Sequence, residues 1–277
     1  MASRLLILMI NFLIVVLTLF CVYLLCVRCR RGHKDWDELV GWSYTHRGLF
    51  GNGIPENSMK AFRKAKESGY GIEMDIHLMA DGNLAIVHDS SLKRMTNADV
   101  CIEDLRAEDL VEYPLDDGLE TIPLFNDVLQ MIDGEVPLIL ELKSVKNNYA
   151  ELCRTACDLL DSYNGAFCLE SFDPRCVYWL KKNRPDLIRG QLSVDYLKHA
   201  YPNMPWLYKF VVSNQLLNFI TVPDFIAYGY ADRKKLSNFA CRKVWGAKGV
   251  SWTVKNQQEY DQAVKEDWIP IFEGFCP

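Results

Sequence analysis

Two carboxylates and a histidine stand close together within residues 71–89 of this sequence. Glu73 and Asp75 are two residues apart in an apolar segment typical of a β-strand, and alternate residues of a strand point to the same face. Two neighbouring carboxylates repel each other unless a cation or a shared proton lies between them. An Asp-Gly turn then leads to a second apolar run that ends at His88. The unit could bind a cation beside a proton-transfer group, or it could be a half-exposed hairpin with an acidic face.

Two other strand-like segments also end in polar motifs. His46-Arg47-Gly48 follows the first of them and precedes Pro55-Glu56-Asn57-Ser58, and Glu141-Leu142-Lys143 ends the other. Because Glu141 and Lys143 are two residues apart, we expect them to share a face of their strand. A surface ion pair between these two residues is the alternative interpretation.

The elements that must position these groups alternate along the chain. From Trp42 onward, strand-like segments are interleaved with helical ones about eight times, which predicts an α/β fold of the (β/α)8 TIM-barrel type. Residues 90–120 are more polar, so we expect a small insertion after the second strand. An open doubly wound sheet is the alternative, although the sequence has no glycine-rich phosphate loop.

A barrel would bring these polar groups together. Reactive side chains gather at the C-terminal ends of barrel strands, where we expect His46, Glu73, Asp75 and Glu141. Three carboxylates converging at one site need a divalent cation, and an all-oxygen set of ligands selects Mg²⁺, Ca²⁺ or Mn²⁺ over zinc.

The motifs H-R-G, P-E-N-S, E-x-D, H-D and E-L-K, in this order and spacing, resemble those of the glycerophosphodiester phosphodiesterase family. The resemblance covers roughly residues 43–277 and implies hydrolysis of glycerophosphodiesters to an alcohol and sn-glycerol 3-phosphate. It implies that Glu73, Asp75 and Glu141 bind one divalent cation, Mg²⁺ or Ca²⁺, and that His46 and His88 are the general acid and base. Which histidine has which role stays open.

Further residues complete the expected site. Arg47 and Lys143 can hold the phosphate oxygens, the first by a forked contact and the second as a point charge. Trp252-Thr253-Val254 matches the family at the end of a late strand, where the family's tryptophan lines the substrate pocket; a core aromatic is the alternative. His77 shares the face of Asp75 and could support the site from behind.

The sequence departs from the family in two places. Met79-Ala80 precedes the Asp-Gly turn where the family usually has a threonine. Residues 273–277, Glu-Gly-Phe-Cys-Pro, replace a common Thr-Asp near a final proline. We expect neither departure to touch a catalytic group.

The N-terminal segment predicts a membrane anchor. Leu5–Val27 is apolar and uncharged over 23 residues, long enough at ~1.5 Å per residue to cross a ~30 Å hydrocarbon core. A cleaved signal peptide would need a shorter run and small residues at its end. We therefore divide the chain into an anchor with its basic flank (1–34) and a barrel domain (35–277). The basic flank predicts a single-pass protein of the cell membrane with its catalytic domain on the cytoplasmic side.

Charge excludes one class of partner. From Asp35 onward the chain has 26 basic and 36 acidic residues, so we expect no nucleic-acid binding. The substrate is expected to be a small molecule, and the oligomeric state is left open. Two alternatives to the first function remain: a lysophospholipase D-like hydrolase of membrane lysophospholipids, and an inactive membrane-anchored binding protein. The anchor and five aromatic residues suggest the former, although packing of these aromatics in a helix and loop is the preferred interpretation: Tyr196, Tyr201, Trp206, Tyr208 and Phe210.

Overall fold

A computed structural model describes residues 2–115, 118–198, 202 and 204–277, and Tyr201 lies outside them. The described strands are β1 (Tyr44–Thr45), β2 (Gly71–Leu78), β3 (Leu84–Ile86), β4 (Leu138–Leu142), β5 (Phe167–Ser171), β6 (Arg189–Ser193), β7 (Phe225–Gly229), β8 (Lys248–Val254) and β9 (Ile269–Phe272). The α-helices are α1 (Ala2–Cys26), α2 (Met59–Glu67), α3 (Lys93–Thr96), α4 (Phe125–Ile132), α5 (Tyr149–Leu160), α6 (Pro174–Asn183), α7 (Trp206–Ser213), α8 (Asn218–Thr221), α9 (Leu236–Phe239) and α10 (Gln257–Lys265). Short 3₁₀ segments cover Lys34–Glu38, Ile102–Asp104, Ala107–Glu112 and Tyr230–Asp232, and Ala240–Val244 is π-helical.

Eight of the described strands are parallel and close into a barrel. β1 pairs with β2 on one side and with β9 on the other, and the sheet continues through β4, β5, β6, β7 and β8 in sequence order. β3 is antiparallel to β2 and lies outside this ring. The predicted (β/α)8 barrel is therefore confirmed, and the alternative of an open doubly wound sheet is wrong.

Local sequence signals explain why the helices begin where they do. The Ser58 hydroxyl accepts a hydrogen bond from the Ala61 amide at 3.1 Å and so caps α2. Asp173 caps α6, and Pro174 occupies the first turn of that helix, where its missing amide hydrogen costs nothing. Each cap gives a hydrogen-bond partner to a backbone amide that has none within its helix, and so fixes the residue at which the helix begins.

The insertion after the second parallel strand is a small unit with its own core. This core is built from buried apolar side chains of the segment, among them Met79, Leu92, Met95, Ile102 and Leu110. β3 returns the chain to β2, and the Val87 amide donates to the Asp75 carbonyl at 3.1 Å. The insertion thereby places the residue after Val87, His88, beside the end of β2.

The residues that follow α1 close the N-terminal end of the barrel. Trp36 packs edge-to-face on Phe225 with 5.5 Å between ring centroids, and Leu39 is buried in the same cluster. The Arg30 amide donates to the Pro223 carbonyl at 2.8 Å, and its guanidinium pairs with Asp224. Among the described residues α1 is the one helix long and apolar enough to cross a membrane, and its C-terminal end is fixed to the barrel without a flexible linker.

Candidate active site

Three carboxylates converge at the C-terminal end of the barrel, which we call the mouth. β2 carries Glu73 and Asp75 on one face, and the strand register places Asp75 directly beside Glu141 of β4. The three residues are 3%, 1% and 6% exposed, and one oxygen of each lies within 4.8 Å of the others. The alternative of a half-exposed acidic hairpin is therefore wrong. Glu141 does form an ion pair with Lys143, but the pair is buried and does not lie on the surface.

Burial, mutual repulsion and the neighbouring cations give the three carboxyl groups different pKa values. Burial and the neighbouring Asp75 raise the pKa of Glu73 well above its ordinary value. Burial alone would raise the pKa of Asp75 too, but Lys143 and Arg47 hold it below its usual range. Burial raises the pKa of Glu141 to about 7, although Lys143 acts in the opposite direction. A divalent cation would supply the positive charge that lets all three carboxylates ionise, and an all-oxygen set suits Mg²⁺ or Ca²⁺.

Cation binding should therefore release protons and strengthen as pH rises through 7. Affinity for Mg²⁺ or Ca²⁺ should be at least about tenfold higher at pH 8 than at pH 6, since tenfold is the effect of one proton lost from a group of pKa about 7. Glu141 supplies this proton because its carboxyl is mostly protonated at pH 6 and must ionise to bind. Glu73, whose pKa is also raised, adds to the proton release. Calorimetry at both pH values, in buffers of different ionisation enthalpy, measures the affinity and the proton count. An affinity that does not change between pH 6 and pH 8 would contradict this linkage.

Two cationic side chains point into the same cluster. The Lys143 ammonium lies 3.0 Å from Asp75 Oδ1 and 2.9 Å from Glu141 Oε1, so the two-residue spacing of the E-L-K motif brings both side chains to the mouth. The Arg47 amide donates to Glu73 at 3.1 Å, and Arg47 Nε lies 3.4 Å from Asp75. Next to it, Gly48 has a φ of +81°, and an added Cβ would lie 2.9 Å from Ala61. This close approach explains the glycine of the H-R-G motif.

His46 is held by a residue from the other end of the chain. Its Nδ1 lies 2.6 Å from Glu273 Oε2, just after β9. This hydrogen bond lowers the pKa of Glu273, so the carboxylate is ionised and accepts. The expectation that the C-terminal departure touches no proposed catalytic group is wrong, because Glu273 contacts the His46 imidazole directly.

His88 has a corresponding carboxylate partner. Its Nδ1 lies 2.7 Å from Asp89 Oδ1, and Asp89 Oδ2 in turn accepts from Arg94 at 2.6 Å. Burial lowers the pKa of His88, an effect that Asp75 partly opposes. His77 Nε2 lies 3.2 Å from the His88 carbonyl and its Nδ1 lies 2.6 Å from Glu103, so His77 holds the backbone of His88. Both site histidines thus have Nδ1 fixed by a carboxylate, which leaves Nε2 for chemistry.

Replacing Glu273 with glutamine should lower kcat roughly tenfold, because a neutral hydrogen bond to His46 is weaker by about 1–1.5 kcal/mol than the charge-assisted one it replaces. Glutamine keeps the size of the side chain but not its charge, so KM should change little and the pH–rate profile should shift. Steady-state kinetics across pH measures both quantities. The matched control Glu151→Gln, exposed on α5, should have no effect, and a Glu273→Gln enzyme with an unchanged pH profile would contradict the positioning role.

Three polar residues of the mouth had no role assigned from the sequence, although two of them belong to the P-E-N-S motif. The Asn57 amide donates to Asp75 Oδ2 at 2.8 Å, and Glu56 accepts from Arg47 at 2.8 Å, so the P-E-N-S motif contributes two contacts. Glu170 lies at the end of β5 in register with Glu141, is buried, and its Oε2 has no hydrogen-bond partner among the described residues. Its position at a strand end was the available signal.

Two cavities meet at the mouth. One, of about 630 Å³, is lined by carboxylates of the cluster, by both site histidines and by both cationic side chains. Trp252, Phe172 and Lys255 form the rest of its wall. The other, of about 730 Å³, extends from His88 and Lys143 towards α7, and the two share Phe172 and Tyr196. Trp252 packs edge-to-face on Phe172 with centroids 5.6 Å apart. Trp252 therefore lines this cavity and also packs against the barrel core, and its contact with substrate stays a prediction.

Comparisons with known proteins give matches over most of the barrel domain. The model of the glycerophosphoryl diester phosphodiesterase family matches residues 46–272. A glycerophosphodiester phosphodiesterase of Caldanaerobacter subterraneus subsp. tengcongensis is 27% identical over 235 residues, which cover 79% of this chain and 88% of the relative.

A second relative and a solved structure extend the comparison. A lysophospholipase D of Rattus norvegicus is 34% identical over 117 residues, but the match covers only 38% of this chain and 36% of the rat protein. The solved structure of an Oleispira antarctica phosphodiesterase, in complex with the product sn-glycerol-3-phosphate, superposes with a TM-score of 0.70 at 18% identity, covering 86% of this chain and 94% of that one. The structural similarity supports the barrel fold.

Proposed function

Since this chain belongs to the glycerophosphoryl diester phosphodiesterase family, we propose that it hydrolyses glycerophosphodiesters to an alcohol and sn-glycerol 3-phosphate. Water adds to phosphorus, the bond from phosphorus to the alcohol oxygen breaks, and that oxygen leaves with a proton. The single observation that carries the proposal is the buried cluster of Glu73, Asp75 and Glu141, with oxygens within 4.8 Å, flanked by two carboxylate-bound histidines.

Glu73, Asp75 and Glu141 would hold one divalent cation, Mg²⁺ or Ca²⁺. Such a cation supplies positive charge where negative charge develops on the phosphoryl oxygens. Arg47 and Lys143 flank the same position and hold the phosphate, and Trp252 lines the wall against which the substrate packs. The preorganised charges carry most of the rate acceleration, because proton transfer alone contributes on the order of 10²–10⁴-fold.

His46 and His88 form the acid/base pair of the proposed reaction. One imidazole accepts the proton of the attacking water, and the other donates a proton to the leaving alcohol oxygen. Glu273 and Asp89 orient the rings through Nδ1, so that Nε2 of each exchanges the proton. The barrel domain is held at the membrane by α1 and, with the basic flank of that helix, lies on the cytoplasmic side.

A second candidate substrate is a lysophospholipid. The 730 Å³ cavity next to the mouth has Met204, Tyr208 and Val212 as an apolar part of its wall. We infer from its volume that it could hold part of an acyl chain. A relative from rat is itself a lysophospholipase D. The cavity also accommodates a water-soluble head group, and the carboxylate cluster serves both substrates equally.

A substrate panel separates the two candidates. The full chain in vesicles is assayed with glycerophosphocholine, glycerophosphoethanolamine, glycerophosphoinositol and lysophosphatidylcholine. We expect higher kcat/KM for the water-soluble diesters, and a Val212→Trp variant that narrows the cavity should then lower activity on lysophosphatidylcholine selectively. Val264→Trp on the exposed surface of α10 is the control. Preference for lysophosphatidylcholine supports the second candidate, whereas cation binding without turnover of any diester supports the inactive binding protein.

A further inference from the structure

Exposed apolar side chains outside α1 are concentrated on one side of the barrel. Nine of the fifteen large ones described there lie in residues 205–250, the helical layer from α7 to the start of β8. They are Trp206, Leu207, Tyr208, Phe210, Phe219, Ile220, Leu236, Phe239 and Val244. The residues of α7 are apolar or aromatic except for Lys209 and the buried Ser213, yet Trp206 is 67% exposed. A helix that is apolar all round is normally covered by protein or lipid.

The same segment is basic in an otherwise acidic domain. Residues 205–250 contain seven Lys or Arg and two Asp or Glu, whereas the whole chain has a formal net charge of -5. Both acids are engaged, Asp224 by Arg30 and Asp232 by Lys198. Of the basic residues, Lys209, Lys243 and Lys248 form no ion pair within the described part of the chain. We call the exposed side chains of residues 205–250 the apolar–basic face.

The C-terminal end of α1 is attached to this face. The Trp245 indole donates to the Leu24 carbonyl at 2.8 Å, and the Cys241 thiol donates to the Val27 carbonyl at 3.4 Å. Arg31 Nε donates to the Trp245 carbonyl at 2.9 Å. These contacts fix the helix against the face at several points, so the face moves with the helix.

We propose that the apolar–basic face lies on the surface of an anionic lipid bilayer, beside the point where α1 enters it. The inference rests on α1 spanning the membrane, as proposed above. Leu25 is exposed, and Val27, two residues on and about 3 Å further along the axis, is buried against the domain. Side chains around this contact must therefore lie at the level of the lipid head groups. Aromatic and aliphatic residues beside lysines are the composition that such an interface favours.

This placement links membrane attachment to the active site. Tyr208 of α7 belongs to the face and also lines the 730 Å³ cavity that adjoins the mouth. The C-terminal end of α7 is tied to the barrel, since Ser193 Oγ donates to the Val212 carbonyl at 3.0 Å. A bilayer against α7 would hold one wall of the cavity in place and bring its opening close to lipid.

Photocrosslinking of the full chain tests the proposal. The photoreactive residue p-benzoylphenylalanine replaces Leu236, which is 70% exposed on the face, or Val111, which is 74% exposed in the insertion. A third variant carries it at Phe12, within α1. In vesicles of phosphatidylcholine and phosphatidylglycerol, mass spectrometry counts lipid adducts after illumination. We expect several times more adducts at position 236 than at position 111, and abundant adducts at position 12.

Charge variants and the remaining outcomes complete the test. Lys209→Glu/Lys243→Glu/Lys248→Glu should lower the adducts at position 236, whereas the matched control Lys60→Glu/Arg63→Glu/Lys93→Glu, on the other side of the barrel, should not. Abundant adducts at position 12 with equal, low yields at positions 236 and 111 would contradict the placement of the apolar–basic face on the bilayer. They would still agree with α1 as a membrane anchor. An absence of adducts at position 12 would contradict both the membrane anchor and the placement of the face on the bilayer. Crosslinks from position 236 to a second copy of the chain would make the face a protein interface and also overturn the proposal. None of these outcomes depends on catalytic turnover, so loss of the proposed activity is scored separately.

Discussion

Replacing His88 with alanine should lower kcat by at least ~10²-fold while affinity for the divalent cation stays nearly unchanged. The reason is geometric: His88 Nδ1 is bound to Asp89 at 2.7 Å, and the proposed cation ligands are the three carboxylates and not the imidazole. His46→Ala should behave in the same way, since its Nδ1 is bound to Glu273. Steady-state kinetics at saturating cation, with calorimetric titration of the cation, measures both quantities.

His33 provides a matched control for these variants. It lies at the N-terminal end of the barrel, where its Nε2 contacts the Asp186 carbonyl at 2.8 Å, so His33→Ala should leave kcat unchanged. An outcome in which His88→Ala regains full turnover at high cation concentration would identify His88 as a cation ligand and contradict its assignment as an acid or base.

Asp75→Asn should produce the opposite pattern. Cation affinity should fall by at least about 100-fold, since even groups that only orient a metal ligand are worth roughly 10–100-fold, and excess cation should restore part of the activity. Asp75 is the proposed ligand whose pKa is lowered by Lys143 and Arg47, so its carboxylate stays ionised. Asparagine keeps the shape and the contact with Asn57 but removes the charge. Activity measured against cation concentration checks the prediction.

The control for this variant is Asp127→Asn, which makes the same change at an exposed position on α4. It should alter neither cation affinity nor activity. Unchanged cation affinity in Asp75→Asn would remove Asp75 from the proposed ligand set, and the two classes of variant would then no longer separate in a plot of activity against cation concentration.

Short-range periodicity explains why much of the mouth could be predicted from sequence. The two-residue spacing of Glu73 and Asp75 places both carboxylates on one face of any strand, and the same holds for Glu141 and Lys143. The eight-fold alternation of strands and helices then brings strand ends together, because parallel barrel strands all end at the same mouth. No side-chain contact had to be known for either step.

Contacts between distant parts of the chain could not be predicted in this way. Glu273 lies 227 residues from His46, and their hydrogen bond exists only because β9 closes the barrel against β1. Glu170 reaches the cluster through the register of β5 with β4. Its neighbours in the sequence, Leu169 and Ser171, give no indication of a site.

The N-terminal flank shows a different limit of sequence reasoning. From the sequence, Arg30 and Arg31 belong to a basic cluster that flanks the membrane helix and predicts on which side of the membrane the domain lies. In the fold they also bind the barrel, Arg30 through Asp224 and Arg31 through the Trp245 carbonyl. Composition reports the charge of such residues but not the partner that the fold supplies.

Product identity is the most direct test of the central claim. The full chain in vesicles is incubated with glycerophosphocholine, and the products are identified by ³¹P NMR and an enzymatic assay for sn-glycerol 3-phosphate. We expect sn-glycerol 3-phosphate and choline as the products. Exhaustive chelation should abolish the formation of both, and addition of Mg²⁺ or Ca²⁺ should restore it. Release of phosphocholine and glycerol instead, or turnover untouched by chelation, would contradict this claim.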